Sequence, residues 1–235
     1  MKNLIKIMIK NKFVLGVSVV AFTVASLVII ALVVYSAFSS KNSPAPKSAV
    51  NTITSSPNAC APSSCKGKIL MVLAFSDFLD QDYFIPKKIF EDNGFVVDTL
   101  STELGVAKSL TGVETKVNVL YSDIKTTDYK AVVFCGGPGM CKQDLNQNYL
   151  DLSKAFNSDN KIIGGICFGG KILATSGILK DKKASIPDKF SDFLKQEGIT
   201  YVKNELVVDG NIVTAPEPPF NKEFAQAIVD LLNKQ

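Results

Sequence analysis

Lys161-Ile162-Ile163-Gly164-Gly165-Ile166-Cys167-Phe168-Gly169-Gly170 is the stretch that decides the fold. A short apolar run enters two glycines, an apolar residue and a cysteine follow, and two more glycines close the stretch. Residues 171–176 are helix-compatible and stop at Gly177. The pattern predicts a buried strand that ends in a sharp turn and feeds a helix. Small residues on both sides are what so tight a turn requires. A nucleophile at such a turn is pushed clear of the sheet, with a helix N-terminus beneath it. That position lowers a thiol pKa, and the thiolate is the reactive form. The functional reading is a reactive Cys167. The alternative is a buried, inert cysteine in a Gly-rich turn.

Outward from this elbow, apolar runs alternate with amphipathic segments. Residues 68–74 form a continuous apolar run, as expected of a central parallel strand. Residues 95–100 and 129–135 read as two more strands, the latter ending in Gly136-Gly137-Pro138-Gly139. Residues 75–81 read as a loop with two aspartates. Residues 82–93 read as a helix with Phe84, Ile85, Ile89 and Phe90 inward, stopped at Gly94; Pro86 fits only near its start. Residues 106–121 predict a hairpin around Thr111-Gly112, and residues 206–215 a strand pair around Asp209-Gly210-Asn211. Helices are expected over 146–156 and, to close the chain, over 220–233. This alternation predicts a three-layer α/β/α sandwich with a mainly parallel sheet. Sites in such sheets form at the C-terminal ends of strands. Three loops, 75–82, 135–140 and 166–170, should therefore meet.

Composition narrows the chemistry. The chain has no histidine and no arginine. A Ser-His-Asp or Cys-His triad cannot be built within it, and imidazole metal sites are excluded. Acid–base work falls to carboxylates, lysine, tyrosine or the thiol itself. No metal site, P-loop or dinucleotide-spaced glycine run is present, so no cofactor is expected. The first 50 residues hold six lysines and no acid; against a whole-chain charge of +4, residues 51–235 carry −2. With no cationic surplus and no bidentate guanidinium, nucleic acid is not an expected partner.

Residues 1–12 are basic, and residues 13–40 are uncharged and mostly apolar, long enough to cross a hydrocarbon core. They read as an uncleaved single-pass signal anchor with the N-terminus cytoplasmic and the domain outside; a cleaved secretory signal is the second reading. Residues 41–66, rich in Ser, Pro and Ala, read as a flexible tether, leaving 67–235 as the globular domain. In an oxidising compartment Cys60 and Cys65 are expected to close a small disulfide loop. Cys135 and Cys141 are a second candidate pair, with a buried free thiol at Cys135 as the alternative.

The order of these parts over residues 66–235 resembles the DJ-1/PfpI (ThiJ/PfpI) family. Residues 68–74 resemble its first strand, and Asp82-Tyr83-Phe84-Ile85-Pro86 its acid-x-x-x-Pro helix opening. Residues 129–137 are similar to its strand ending in a double glycine. Gly165-Ile166-Cys167-Phe168-Gly169 is similar to its Ala-Ile-Cys-x-Gly elbow, and residues 223–232 to its C-terminal helix. The resemblance implies a flavodoxin-like fold, Cys167 as nucleophile, and Asp82 in the place of the glutamate that meets the sulfur, one methylene shorter. It implies an oxyanion pocket from the N–H groups of Gly137 and Phe168, and a homodimer. The family histidine has no counterpart: Phe168 and Ile186 stand in its two usual places. The implied activities are glyoxalase or deglycase chemistry on small carbonyl compounds and modified protein side chains, or oxidant sensing. A non-catalytic binding module and a cysteine peptidase or amidase are the alternatives.

Overall fold

The computed structural model describes residues 65–235. Residues 13–40 and Cys60 lie outside them, as do the basic N-terminus and nearly all of the tether. Among the described residues no helix is long and apolar enough to cross a membrane.

Among the described residues eleven strands and six α-helices follow in order: β1 (Lys68–Val72), β2 (Ser76–Phe78), α1 (Asp80–Asp92), β3 (Val96–Leu100), β4 (Gly105–Ser109), β5 (Glu114–Val117), β6 (Ala131–Phe134), α2 (Pro138–Cys141), α3 (Gln147–Ser158), β7 (Ile162–Ile166), α4 (Phe168–Thr175), β8 (Lys183–Ala184), α5 (Ser191–Gln196), β9 (Thr200–Tyr201), β10 (Val207–Asp209), β11 (Ile212–Ala215) and α6 (Asn221–Leu232). The main sheet runs β10-β11-β7-β6-β1-β3. All its neighbours are parallel except β10, which pairs antiparallel with β11. β6 and β7 are buried along their whole length, as is β1 beyond Lys68. Such strands must be apolar on both faces, which is why these segments read as unbroken runs.

Each face of the sheet carries its own core. Phe90, Phe224, Ala225, Ile228 and Val229 of α1 and α6 close over one side with Met71, Val133 and Val213. Tyr149, Leu152, Phe156, Ile172 and Leu173 of α3 and α4 close over the other with Leu70, Val132 and Ile163. The result is the flavodoxin-like three-layer sandwich with a mostly parallel sheet.

Several expectations are corrected. The stretch expected to be a loop at 75–81 contains β2, which joins β4 and β5 in a separate three-stranded sheet. Helix α1 begins at Asp80, two residues early, so Pro86 lies inside it. The Gly136–Gly139 turn ends in a short helix, α2, with Pro138 at its first position, where a missing N–H costs nothing. The hairpin of β4 and β5 forms as expected, with Gly112 at φ 90° in its turn.

Candidate active site

Cys167 is the hinge between β7 and α4. Its φ of 54° and ψ of −124° lie outside the comfortable regions for an L-residue, a strain of about 1–3 kcal/mol. Two backbone bonds hold it there: its N–H donates to Ala215 O at the end of β11 (2.9 Å), and its carbonyl accepts from Gly170 N–H (3.1 Å). The residue is 7% exposed.

Asp82, in the first turn of α1, is fully buried. What brings it to the thiol is the absence of a side chain at Gly136. A Cβ there would stand 2.2 Å from Asp82 Oδ2, 2.6 Å from Cys167 Cβ and 3.1 Å from Cys167 Sγ. The acid and the thiol thus face each other over a bare glycine. Gly137, at φ 112°, then turns the chain so closely against residues 77–79 that a Cβ would meet Leu79 N at 2.4 Å. The loop around 75–82 is tied to this turn by Leu79 N–H donating to Gly136 O (3.1 Å). The three loops expected to meet at the strand ends do meet here.

The electrostatics correct one expectation. The elbow was expected to lower the thiol pKa, but burial pushes Cys167 up to about 12, and the charge of Asp82 adds to that. The N–H groups of Phe168 and Gly137 both donate toward the sulfur and oppose the shift, without overcoming desolvation. Asp82 is raised to about 7, again mainly by burial; hydrogen bonds from Asn221 and Gly136 pull it down, and Glu217 pushes it up. Asn221 Nδ2 donates to Asp82 Oδ1 at 2.7 Å, while Oδ2 is buried over Gly136 and meets no side-chain donor. The pair therefore holds a carboxyl that changes charge near neutral pH beside a thiol that keeps its proton. The resting site therefore does not favour a preformed thiolate.

Asn221 and Glu217 are site residues that the sequence reading missed. Asn221 opens α6 and looks like any polar residue at a helix start, and Glu217 sits among three prolines. Ile186 is fully buried, with Cγ2 2.4 Å from where a Gly170 Cβ would be. Next to Cys167, Phe168 meets Phe190 edge-on at 5.4 Å and carries the Lys189 ammonium 4.2 Å above its ring.

Of the two readings of Cys135 and Cys141, the structure has the free thiols, Cys135 buried and Cys141 exposed. Cys135 follows β6 in register with Val133 and turns into the sheet core, while Cys141 ends α2 at the surface. Cys65 is a free, exposed thiol, and Cys60, its expected partner, lies outside the described residues.

The family model described as the DJ-1/PfpI family matches residues 67–231. The chain belongs to the DJ-1/PfpI family. An uncharacterized protein of Methanocaldococcus jannaschii, MJ0967, is 37% identical over 172 residues, covering 71% of this chain and 83% of the relative. Deglycase PfpI of Pyrococcus furiosus is 26% identical over 163 residues, covering 69% of this chain and 98% of the relative. The crystal structure of a ThiJ/PfpI domain protein from Brachyspira murdochii superposes with a TM-score of 0.70 at 32% identity, covering 73% of this chain and 99% of that one.

Proposed function

We propose that this protein is a cysteine-dependent enzyme acting on reactive carbonyls, either small dicarbonyls or their adducts on protein side chains. The observation that carries the reading is the buried Asp82 Oδ2 and the Cys167 thiol packed together over the bare Gly136. Asp82 accepts the Cys167 proton as the sulfur adds to the carbonyl carbon. The C=O π bond breaks, the C–S bond forms, and the electron pair moves to the carbonyl oxygen. The N–H groups of Gly137 and Phe168, aimed at the sulfur in the resting site, are the donors available to that oxyanion. Asp82 then returns its proton to give a hemithioacetal. A base that titrates near 7 suits this role, since general bases work best with a pKa near the ambient pH. Deglycase relatives support the substrate class.

A second reading, a non-catalytic binding module, draws support from the thiol being pushed up to about 12. The peptidase or amidase reading has no histidine to work with. We further propose a homodimer, and a membrane-tethered location outside the cytoplasm, which rests on the uncharged run at 13–40 and the lysines before it. The test is methylglyoxal consumption by the full chain. Wild type should consume it, and Cys167→Ala and Asp82→Asn should each lose at least ~100-fold. Equal rates in wild type and Cys167→Ala would remove the enzyme reading.

A further inference from the structure

We infer that Asn221 is the positioning residue of this site: it holds Asp82 by Oδ1 so that Oδ2 is presented to the Cys167 thiol. The inference rests on the reading of Asp82 as the proton acceptor. Asn221 is buried, at the start of α6, and its amide donates to Asp82 Oδ1 at 2.7 Å from 139 residues away in sequence. A carboxyl on so short a side chain has few ways to be aimed. One oxygen is fixed by the amide, and the planar group then directs the other, Oδ2, over Gly136 toward the sulfur. The two helices that supply the residues pack against each other on the same face of the sheet. The segment that carries Asn221 is itself tied to the nucleophile, because Ala215 O, at the end of β11, receives the Cys167 N–H. One short connection, 216–220, therefore links the nucleophile's anchor to the base's anchor.

The titratable groups around Asp82 are Cys167 at the β7–α4 turn, Cys135 after β6 and Glu217 in the β11–α6 connection; each is coupled to it electrostatically. Two of these are thiols and the third is an acid, so none favours the ionised form of Asp82. Among these neighbours, that task falls to the donors Asn221 and the Gly136 N–H. Removing the Asn221 amide leaves a buried carboxylate with less to stabilise its charge, so its titration moves to higher pH. A residue that merely packs would lower stability without moving that titration.

The test is the rate of iodoacetamide labelling at Cys167 against pH, read by site-resolved mass spectrometry on the full chain. Wild type should show an acid limb near pH 7. Asn221→Ala and the similarly branched Asn221→Leu should each move it up by about one pH unit, while Asn221→Gln, which keeps the amide, should stay closer to wild type. Two removal variants are included so that a folding defect in one leaves the other to decide. A limb that stays in place in the folded Ala or Leu variant, or moves as far in Asn221→Gln, overturns the positioning role and leaves Asp82 as the base. A wild type with no limb near 7 overturns the reading of the pair and the positioning role with it.

Discussion

A side chain at Gly136 would collide with Asp82: its Cβ would stand 2.2 Å from Oδ2, closer than any van der Waals contact allows. The acid can therefore sit beside Cys167 only because the β6–α2 turn is bare at this point. The backbone φ of Gly136 is not positive, so the requirement is space and not conformational freedom.

Gly136→Ala follows directly. The mutant should be destabilised by ~1–3 kcal/mol through overpacking, and its Cys167 should lose the acid limb in its labelling profile. Urea unfolding and the labelling curve check the two halves. Wild-type behaviour in both would mean that the carboxyl and thiol are not packed on this glycine.

Asp82→Asn should make the protein more stable, with a particular pH dependence. The Asp82 carboxyl titrates near 3.8 when unfolded and is raised to about 7 in the fold. Below about pH 4 it is protonated in both states and adds nothing. As pH rises from there, the unfolded chain releases the proton first, so stability falls. The full cost, on the order of 2–4 kcal/mol, stands above pH 7. Asn221 and Gly136 already bind the charged form, so the amide variant should gain up to that amount at pH 8 and nearly nothing at pH 4. Thermal unfolding at the two pH values measures it; an equal gain at both would contradict the raised carboxyl.

The cysteines should label in a fixed order. Cys141 is exposed and Cys135 fully buried, with its thiol pushed well up by desolvation. Native protein should alkylate at Cys141 at once and at Cys135 only on unfolding. Non-reducing peptide mapping should find no 135–141 crosslink. A crosslink would require Cys135 to leave the core.

The fold was largely legible because its central strands are buried on both faces and its glycines punctuate them. Residues 161–170 announced both the strand and the turn, and Cys167 lies where that reading put it. What was not legible has local causes. The Cys135–Cys141 spacing left a disulfide and a buried thiol both open, and strand alternation decides between them by sending Cys135 inward with Val133. β2 is only three residues long and lies within a stretch whose two aspartates suggest a loop. The short β8 and β9 pairing and the α5 helix between them have too little apolar periodicity to stand out. Asn221 was invisible because its partner is 139 residues away. The thiol pKa was misjudged because the helix N-terminus is plain in sequence, whereas the depth of burial that outweighs it is a property of the packed molecule.

Transfer of the Cys167 proton to Asp82 is tested most directly by Cys167 labelling against pH in wild type and Asp82→Asn, side by side. If the pair shares its protons, wild type should show a limb near pH 7 followed by a plateau, since the apparent pKa belongs to the pair. In Asp82→Asn that limb should vanish, leaving a slow rate at pH 7.5 that climbs only in strong base. Superimposable profiles, or a limb near 7 that survives the substitution, would contradict the account.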